Sequence, residues 1–315
     1  MFIFKKINLL MLLPLLTILG LCAFEVISSI DNAIINAEVL STMGQKARKF
    51  FLFWGIIFAV FLIRGLLPWL IVWVVNPALG PIQALMATFS GDQSVIDSVE
   101  KSAPILLCGG GIFLVFLFFH WLFLEEKSFG LPHEKIFLEK GIWFYAVISI
   151  ILTSVIWIAI NIEPLIAFGA AVGSSAFFIT HGFKQNAELK EKELTKKSLS
   201  DVSKILYLEV IDATFSIDGV IGAFAFTLSV PLILLGNGIG AIVVRQITVG
   251  NIHRIKKYIY LKNGAMYSIF FLGTFMLLDS FGVHIPEWAS PAITFFFIIY
   301  FFLKSHKLLK LEENK

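Results

Sequence analysis

Seven ionisable residues fall inside stretches of sequence that are otherwise apolar: Glu25, Asp31, Arg64, Glu209, Asp212, Asp218 and Arg245. Their spacing recurs. Glu25 is followed by Ser29-Ile30-Asp31-Asn32, and Asp212 by Ser216-Ile217-Asp218-Gly219, with the two acids six positions apart in each case. Further along, Gly55 precedes Arg64 by nine positions and Gly236 precedes Arg245 by nine. A charged side chain at the centre of a membrane helix costs about 2.5–3.5 kcal/mol on insertion scales, so seven of them unpaired would cost on the order of 20 kcal/mol. These groups must therefore face one another, water or a bound ion. Five acids against two arginines leave a nominal excess of three negative charges. Either protons or a cation must balance that excess. A site that alternates between the two is, in principle, a cation/proton exchanger.

The donor set narrows the ion. Glu25, Asp31, Asn32, Glu209, Asp212 and Asp218 are the candidate metal ligands, with Ser28, Ser29, Asn36, Thr214 and Ser216 nearby. All offer hard oxygen and none is a cysteine or histidine, which suits manganese, magnesium or calcium better than zinc or copper. Glu25, Ser28, Ser29, Asn32 and Asn36 follow three-and-four spacing and make one polar stripe. Asp31 lies about 120° around a straight helix from Glu25, so either a broad face lines the site or the helix loosens near the motif. Arg64 and Arg245 are either charge-balancing or gating groups at such a site, or ion-pair partners that fix helix packing.

The elements that must position these residues are membrane helices. Of 315 residues, 58% are apolar and 15% charged, and the mean hydropathy is +0.87. A soluble chain of this length needs roughly 25% charge to cover its surface. Apolar windows of about 19 residues predict spans at 15–40, 51–75, 104–124, 142–162, 165–182, 205–228, 231–249, 265–281 and 289–304. The fold class expected is all-α: a polytopic membrane bundle of about nine spans with an internal inverted repeat. The first apolar run, despite Lys5 and Lys6 before it, reads as a retained helix rather than a signal peptide. Residues 76–103 read as a loop or re-entrant piece.

Lys46, Arg48 and Lys49, the lysines of 184–204, the cluster Arg254 to Lys262, and Lys304, Lys307 and Lys310 all fall on one side of a nine-span chain. That side is expected to be cytoplasmic; Lys5 and Lys6 fall opposite. The chain divides into a first membrane half, 1–183, a polar cytoplasmic linker, 184–204, and a second half, 205–315. The two motif helices are the first and the sixth span, so they are expected to cross in opposite directions, as inverted repeats do around a midplane site.

Other features are quieter. His120, His181 and Asp279 lie near span ends, and Glu163 beside Pro164 reads as a turn residue. Gly169-x-x-x-Gly173 and Gly236-x-x-x-Gly240 fit small-residue helix packing. Cys22 and Cys108 match no metal or redox spacing. A net charge of +3 gives no reason to expect nucleic acid as a partner, and no phosphate loop, zinc-protease helix or serine triad is present.

Glu25 followed by Ser29-Ile30-Asp31-Asn32, then Arg48 and the Gly55-to-Arg64 segment, resembles the TerC-like integral membrane proteins of the LysE superfamily. Asp212 through Ser216-Ile217-Asp218-Gly219 is similar to that family's second block. The resemblance implies a multi-pass bacterial inner-membrane protein of metal-ion homeostasis, exporting manganese or calcium. Its acidic motif residues correspond to Glu25, Asp31, Asp212 and Asp218, although Gly219 stands where the first half has Asn32. The function expected is thus export of a divalent cation, manganese first and calcium next, in exchange for protons. The lipid bilayer, the metal ion and protons are its partners; the cation is a substrate, with no permanently bound cofactor. The alternative is a non-transporting membrane partner that assists metal loading or membrane-protein assembly through 184–204. An enzyme is not expected, since no acid is paired with a histidine or nucleophile at a motif spacing.

Overall fold

The computed structural model describes residues 2–55, 58, 64–75, 80–82, 93–194, 200–250 and 257–313. The side chains of Asp31, Asn32, Thr214 and Arg64 lie outside the described set. The chain is 86% helical, with no strand among the described residues. Among the described residues, five helices are long and apolar enough to cross a membrane: Lys101–Leu124, Gly141–Ile162, Pro164–Gln185, Leu261–Ser280 and Ala289–Leu311. Shorter apolar helical stretches run over Leu12–Ser28 and Val230–Gln246. The α-helices of the described residues are α1 Phe2–Ser28, α2 Ile30–Ser41, α3 Gln45–Phe50, α4 Arg64–Val75, α5 Gln93–Leu124, α6 Pro132–Glu139, α7 Phe144–Ile162, α8 Pro164–Leu194, α9 Asp201–Ala223, α10 Val230–Gly250, α11 Leu261–Ser280 and α12 Ala289–Glu313.

The scaffold is built on α5, which lies between α8 and α11. Lipid tails are as apolar as leucine, so membrane helices associate through close van der Waals contact where residues are small. The α5–α8 seam takes this to its limit. A Cβ placed on Gly173 would lie 2.0 Å from the Gly109 carbonyl oxygen, and one on Gly169 would lie 2.4 Å from that of Ile105. The two backbones touch, and the ascending order of both sets makes the helices parallel. Gly169-x-x-x-Gly173 is thus the packing motif its spacing predicts. Against α11 the contact is antiparallel, with Gly111 beside the Gly273 carbonyl. Toward the far end the seam is filled by rings: Phe118 stands 4.6 Å from Phe270 and 5.5 Å from Tyr267, and Tyr267 stacks on Phe301 of α12 at 5.5 Å. α7 lies outside, its Ile150 and Trp157 exposed as a lipid-facing surface requires.

A second group, α1, α9 and α10, carries five of the seven ionisable residues singled out above: Glu25, Glu209, Asp212, Asp218 and Arg245. Gly236 packs on Leu21 and Gly240 on Glu25, so α1 and α10 run parallel. Gly222 packs on Phe24 and Gly20 meets Phe226 just past the end of α9, so α1 and α9 run antiparallel. The two motif helices therefore cross in opposite directions. The ends also sort by charge. At one end Gly44 donates its N–H to Asp201 (3.2 Å), Lys204 donates to the Thr42 hydroxyl (2.9 Å), and Lys262 pairs with Glu125 (2.7 Å). This is the basic end. At the other, the turns after α9 and α11 carry Thr227, Ser229 and Gly282, whose φ of 84° suits glycine.

Several expected boundaries move. The first span is not one helix: α1 ends at Ser28 and α2 starts at Ile30, with Ser29 at φ −92°, ψ 3°. The helix does loosen at the motif. Residues 93–103, expected in a loop or re-entrant piece, belong to α5. The expected linker 184–204 is mostly helix, since α8 runs on to Leu194 and α9 begins at Asp201; charged residues at three-and-four spacing suit a helix as readily as a loop. The 205–228 span ends at Ala223. Residues 125–141, between two of the predicted spans, contain α6 and the fully buried Glu134.

Candidate carboxylate site

Three of the predicted ligands gather along α1, α9 and α10 in two tiers. The outer tier is Glu25, 1% exposed. Ser29, one turn on, donates its hydroxyl to Glu25 Oε1 at 2.7 Å. Two glycines make the room: a Cβ on Gly219 would sit 2.9 Å from Glu25 Oε2, and one on Gly240 would sit 2.7 Å from Glu25 Cβ. Gly219, which breaks the likeness to Asn32 of the first motif, leaves space for the carboxylate of the other half.

The inner tier holds Asp212, Glu209 and Arg245. Arg245 Nη1 lies 3.8 Å from Asp212 Oδ2, both side chains buried. Its Nη2 donates to the Phe51 carbonyl at 2.9 Å, and the guanidinium covers the Phe51 ring at 4.1 Å. Phe51 opens a π-helical turn, Phe51–Gly55, a geometry common where a helix carries function. Gly55 closes that turn against the same guanidinium: its Cβ would fall 2.1 Å from Arg245 Nη2 and 2.4 Å from Glu209 Oε1. The glycine of the first half thus accommodates the arginine of the second, whereas Gly236 meets Leu21. Counting one turn on α10 (Gly240 to Arg245) and two on α9 (Gly219 to Asp212), the tiers are about 7–10 Å apart in depth. Three acids against one guanidinium give the described side chains a formal charge of −2.

The remaining candidates lie elsewhere. Asp218 faces away from this axis and pairs with Lys184 of α8, both about 13% exposed; Lys184, expected in the solvated linker, joins α8 to α9. Ser28 donates to the Glu25 carbonyl (3.3 Å) and Ser216 to that of Asp212 (2.6 Å), each bonding its own helix backbone. Asn36 is buried on α2, with Oδ1 lacking a hydrogen-bond partner among the described residues. No three His, Cys, Asp or Glu side chains come together to hold an ion among the described residues; Asp31, Asn32 and Arg64 lie outside them.

Two polar groups went unsignalled by spacing. Glu134 accepts from Gly130 N–H (2.7 Å) and Asn263 Nδ2 (2.8 Å), tying α6 to α11, and neighbouring His133 meets the Tyr267 hydroxyl at 2.6 Å. His120 and His181, taken as separate span-end residues, lie ring to ring at 3.8 Å. Neither contact has a local signal, because the partners are 129 and 61 positions apart.

Five membrane-length apolar helices among the described residues give the chain the build of a multi-pass helical membrane protein, with buried carboxylates and the Arg245 guanidinium where α1, α9 and α10 meet. Residues 30–311 match the family described as "Protein of unknown function (DUF475)", and the chain belongs to that family. No curated protein and no solved structure matches it.

Proposed function

We propose that the protein exports a divalent metal cation across the bacterial inner membrane, manganese first and calcium next, in exchange for protons. The observation that carries this is the inner tier: two carboxylates on successive turns of α9 share one guanidinium, with a third carboxylate one to two turns above. Such a set is anionic when empty and is relieved either by protons or by a cation, the two states an exchanger needs. The oxygen-only donors favour hard divalent ions. The antiparallel course of α1 and α9 agrees with an inverted repeat in a chain of about nine crossings, and the basic end with a cytoplasmic face. The likeness of both acidic motifs to TerC-like proteins of the LysE superfamily points the same way. In this reading Glu25, Glu209 and Asp212 carry the ion, with Asp31 and Asn32 at the α1–α2 break as further donors. Arg245 is the fixed counter-charge, with Arg64 its counterpart in the first half.

The test is flux into proteoliposomes with manganese, calcium and magnesium, with and without a pH gradient. A gradient-dependent flux that is lost in Glu25→Gln and Asp212→Asn is expected. Wild-type flux in both variants, or no flux of any of the three ions, overturns the proposal.

A further inference from the structure

A cavity of about 660 Å³ opens at the end opposite the basic one, where the turns after α9 and α11 meet α1. Thr17, Asp279, His284, Glu287 and Ser290 line it. With Thr227 and Ser229, also in the lining, its walls carry two carboxylates, an imidazole and four hydroxyls and no lysine or arginine, a lining suited to cations. Thr17 precedes Glu25 by eight residues on α1, so the cavity stands about 12 Å above the outer carboxylate.

What separates them is a thin apolar layer. Phe24 and Phe226 are 1% and 4% exposed, with ring centroids 5.7 Å apart. Each is seated on a glycine of the other strand of the bundle: a Cβ on Gly222 would lie 2.5 Å from Phe24, and one on Gly20 would lie 3.0 Å from Phe226. Phe226 belongs to the turn after α9 and itself lines the cavity, so the layer is one ring thick on that side.

Two buried polar side chains lie at the depth of this layer. Asn237, fully buried between Gly236 (on Leu21) and Gly240 (on Glu25), has neither its amide oxygen nor its amide nitrogen in a hydrogen bond among the described residues. Thr294, fully buried one turn past the cavity-lining Ser290 on α12, has a hydroxyl in the same condition. Buried polar atoms without partners are rare in native proteins, and an apolar plug has no use for them. They are what a water-filled or ion-filled passage needs once the rings part.

We infer that this cavity is the outward mouth of the transport pathway and that the Phe24–Phe226 pair is its gate, closed in this structure. Opening it joins the cavity to Glu25 through Thr294 and Asn237. The inference rests on the exporter reading for the identity of the passing ion, but not for the existence of the mouth.

Single cysteines test it in full-length protein lacking Cys22 and Cys108. An impermeant thiol reagent added from outside is expected to modify His284→Cys, at an exposed lining position, readily. Thr294→Cys is expected to react slower by about ten- to a thousandfold, the range set by a minor open state of 10% to 0.1%. Phe226→Ala is expected to raise the Thr294→Cys rate by about tenfold or more, while Phe226→Leu, which keeps an apolar plug, leaves it near the parent value. Modification of His284→Cys is expected to block manganese flux. An unreactive His284→Cys, or a Thr294→Cys rate unmoved by Phe226→Ala, overturns the gate. Unchanged flux after full modification of His284→Cys overturns the pathway assignment and leaves the carboxylate site standing. Absence of flux in unmodified wild type, with the labelling pattern intact, removes the exporter reading alone.

Discussion

Gly55→Ala reverses the usual sign of a helical glycine substitution. In an ordinary helix interior alanine is better than glycine by roughly 0.5–1 kcal/mol. Here the added methyl would fall 2.1 Å from Arg245 Nη2 and 2.4 Å from Glu209 Oε1. Reaching an ordinary contact of about 3.5 Å requires both groups to retreat by more than an ångström. Both are side-chain ends, so the backbone need not move. What is lost is the bond from Nη2 to the Phe51 carbonyl, now 2.9 Å, and the stacking of the guanidinium on the Phe51 ring. A hydrogen bond from a charged donor contributes about 1.5–3 kcal/mol. Set against the helix gain, the variant is expected to lose about 1–2 kcal/mol of stability, a factor of roughly 5–30 in the folded ratio. Denaturation in detergent, followed by tryptophan fluorescence, measures it. The same Gly55→Ala change in an Arg245→Ala background is expected to be neutral or stabilising, a strong non-additivity between touching groups. A Gly55→Ala protein as stable as wild type, or one equally weakened in both backgrounds, refutes the packing argument.

Four further outcomes are expected. Gly173→Ala drives a methyl to 2.0 Å from the Gly109 backbone oxygen, whereas Gly182 has nothing within 4 Å of its Cβ position; denaturation should show Gly173→Ala strongly destabilised and Gly182→Ala neutral or up to ~1 kcal/mol more stable. Asp218→Asn takes the carboxylate from the largely buried Lys184 and is expected to lower stability by about 1.5–3 kcal/mol, with yield and melting temperature recovered by adding Lys184→Met; flux lost without any fall in stability would instead return Asp218 to the ion pathway. Glu134→Gln weakens the acceptor of Gly130 and Asn263 and should lower stability by about 1–3 kcal/mol, with flux unchanged in the surviving folded fraction. Burial pushes the Lys127 ammonium, beyond the end of the α5 span, down to about 8 from 10.5 even though Glu125 and Glu134 oppose the shift. Because the unfolded chain binds the proton more tightly, wild type is expected to gain stability over Lys127→Met as pH rises from about 8 to about 10.5, and no gain should appear below pH 8; a flat difference across that range would contradict the buried placement.

The membrane character of the chain was legible because it rests on composition and run length, which need no tertiary knowledge. The two glycine pairs and the opposite courses of α1 and α9 were legible too, from four-residue spacing and from counting spans. The site was legible as a set of residue types but not as a partition. Asp212 and Asp218 look equivalent in the repeat, yet six positions turn a helix by about 240°, so one meets Arg245 and the other Lys184. Lys184 was misplaced because a basic residue at a span end looks the same in sequence whether its side chain turns outward or back. Glu134 was hidden because burial of a short loop helix depends wholly on Asn263, far along the chain. Gly55 was noted for its distance from Arg64, while its neighbour in space is Arg245.

That last neighbour bears on how the protein is made. The carbonyl that receives Arg245 belongs to Phe51, 194 positions earlier, so it has left the ribosome and settled in the bilayer long before the arginine is synthesised. An arginine released alone into hydrocarbon is opposed by about 2.5–3.5 kcal/mol; one delivered to a waiting acceptor and the carboxylates of the preceding helix is not. The amino-terminal portion thus offers the carboxy-terminal one an acceptor that is synthesised first. Two fragments divided at 195–199 should then assemble only when the first is synthesised before, or together with, the second.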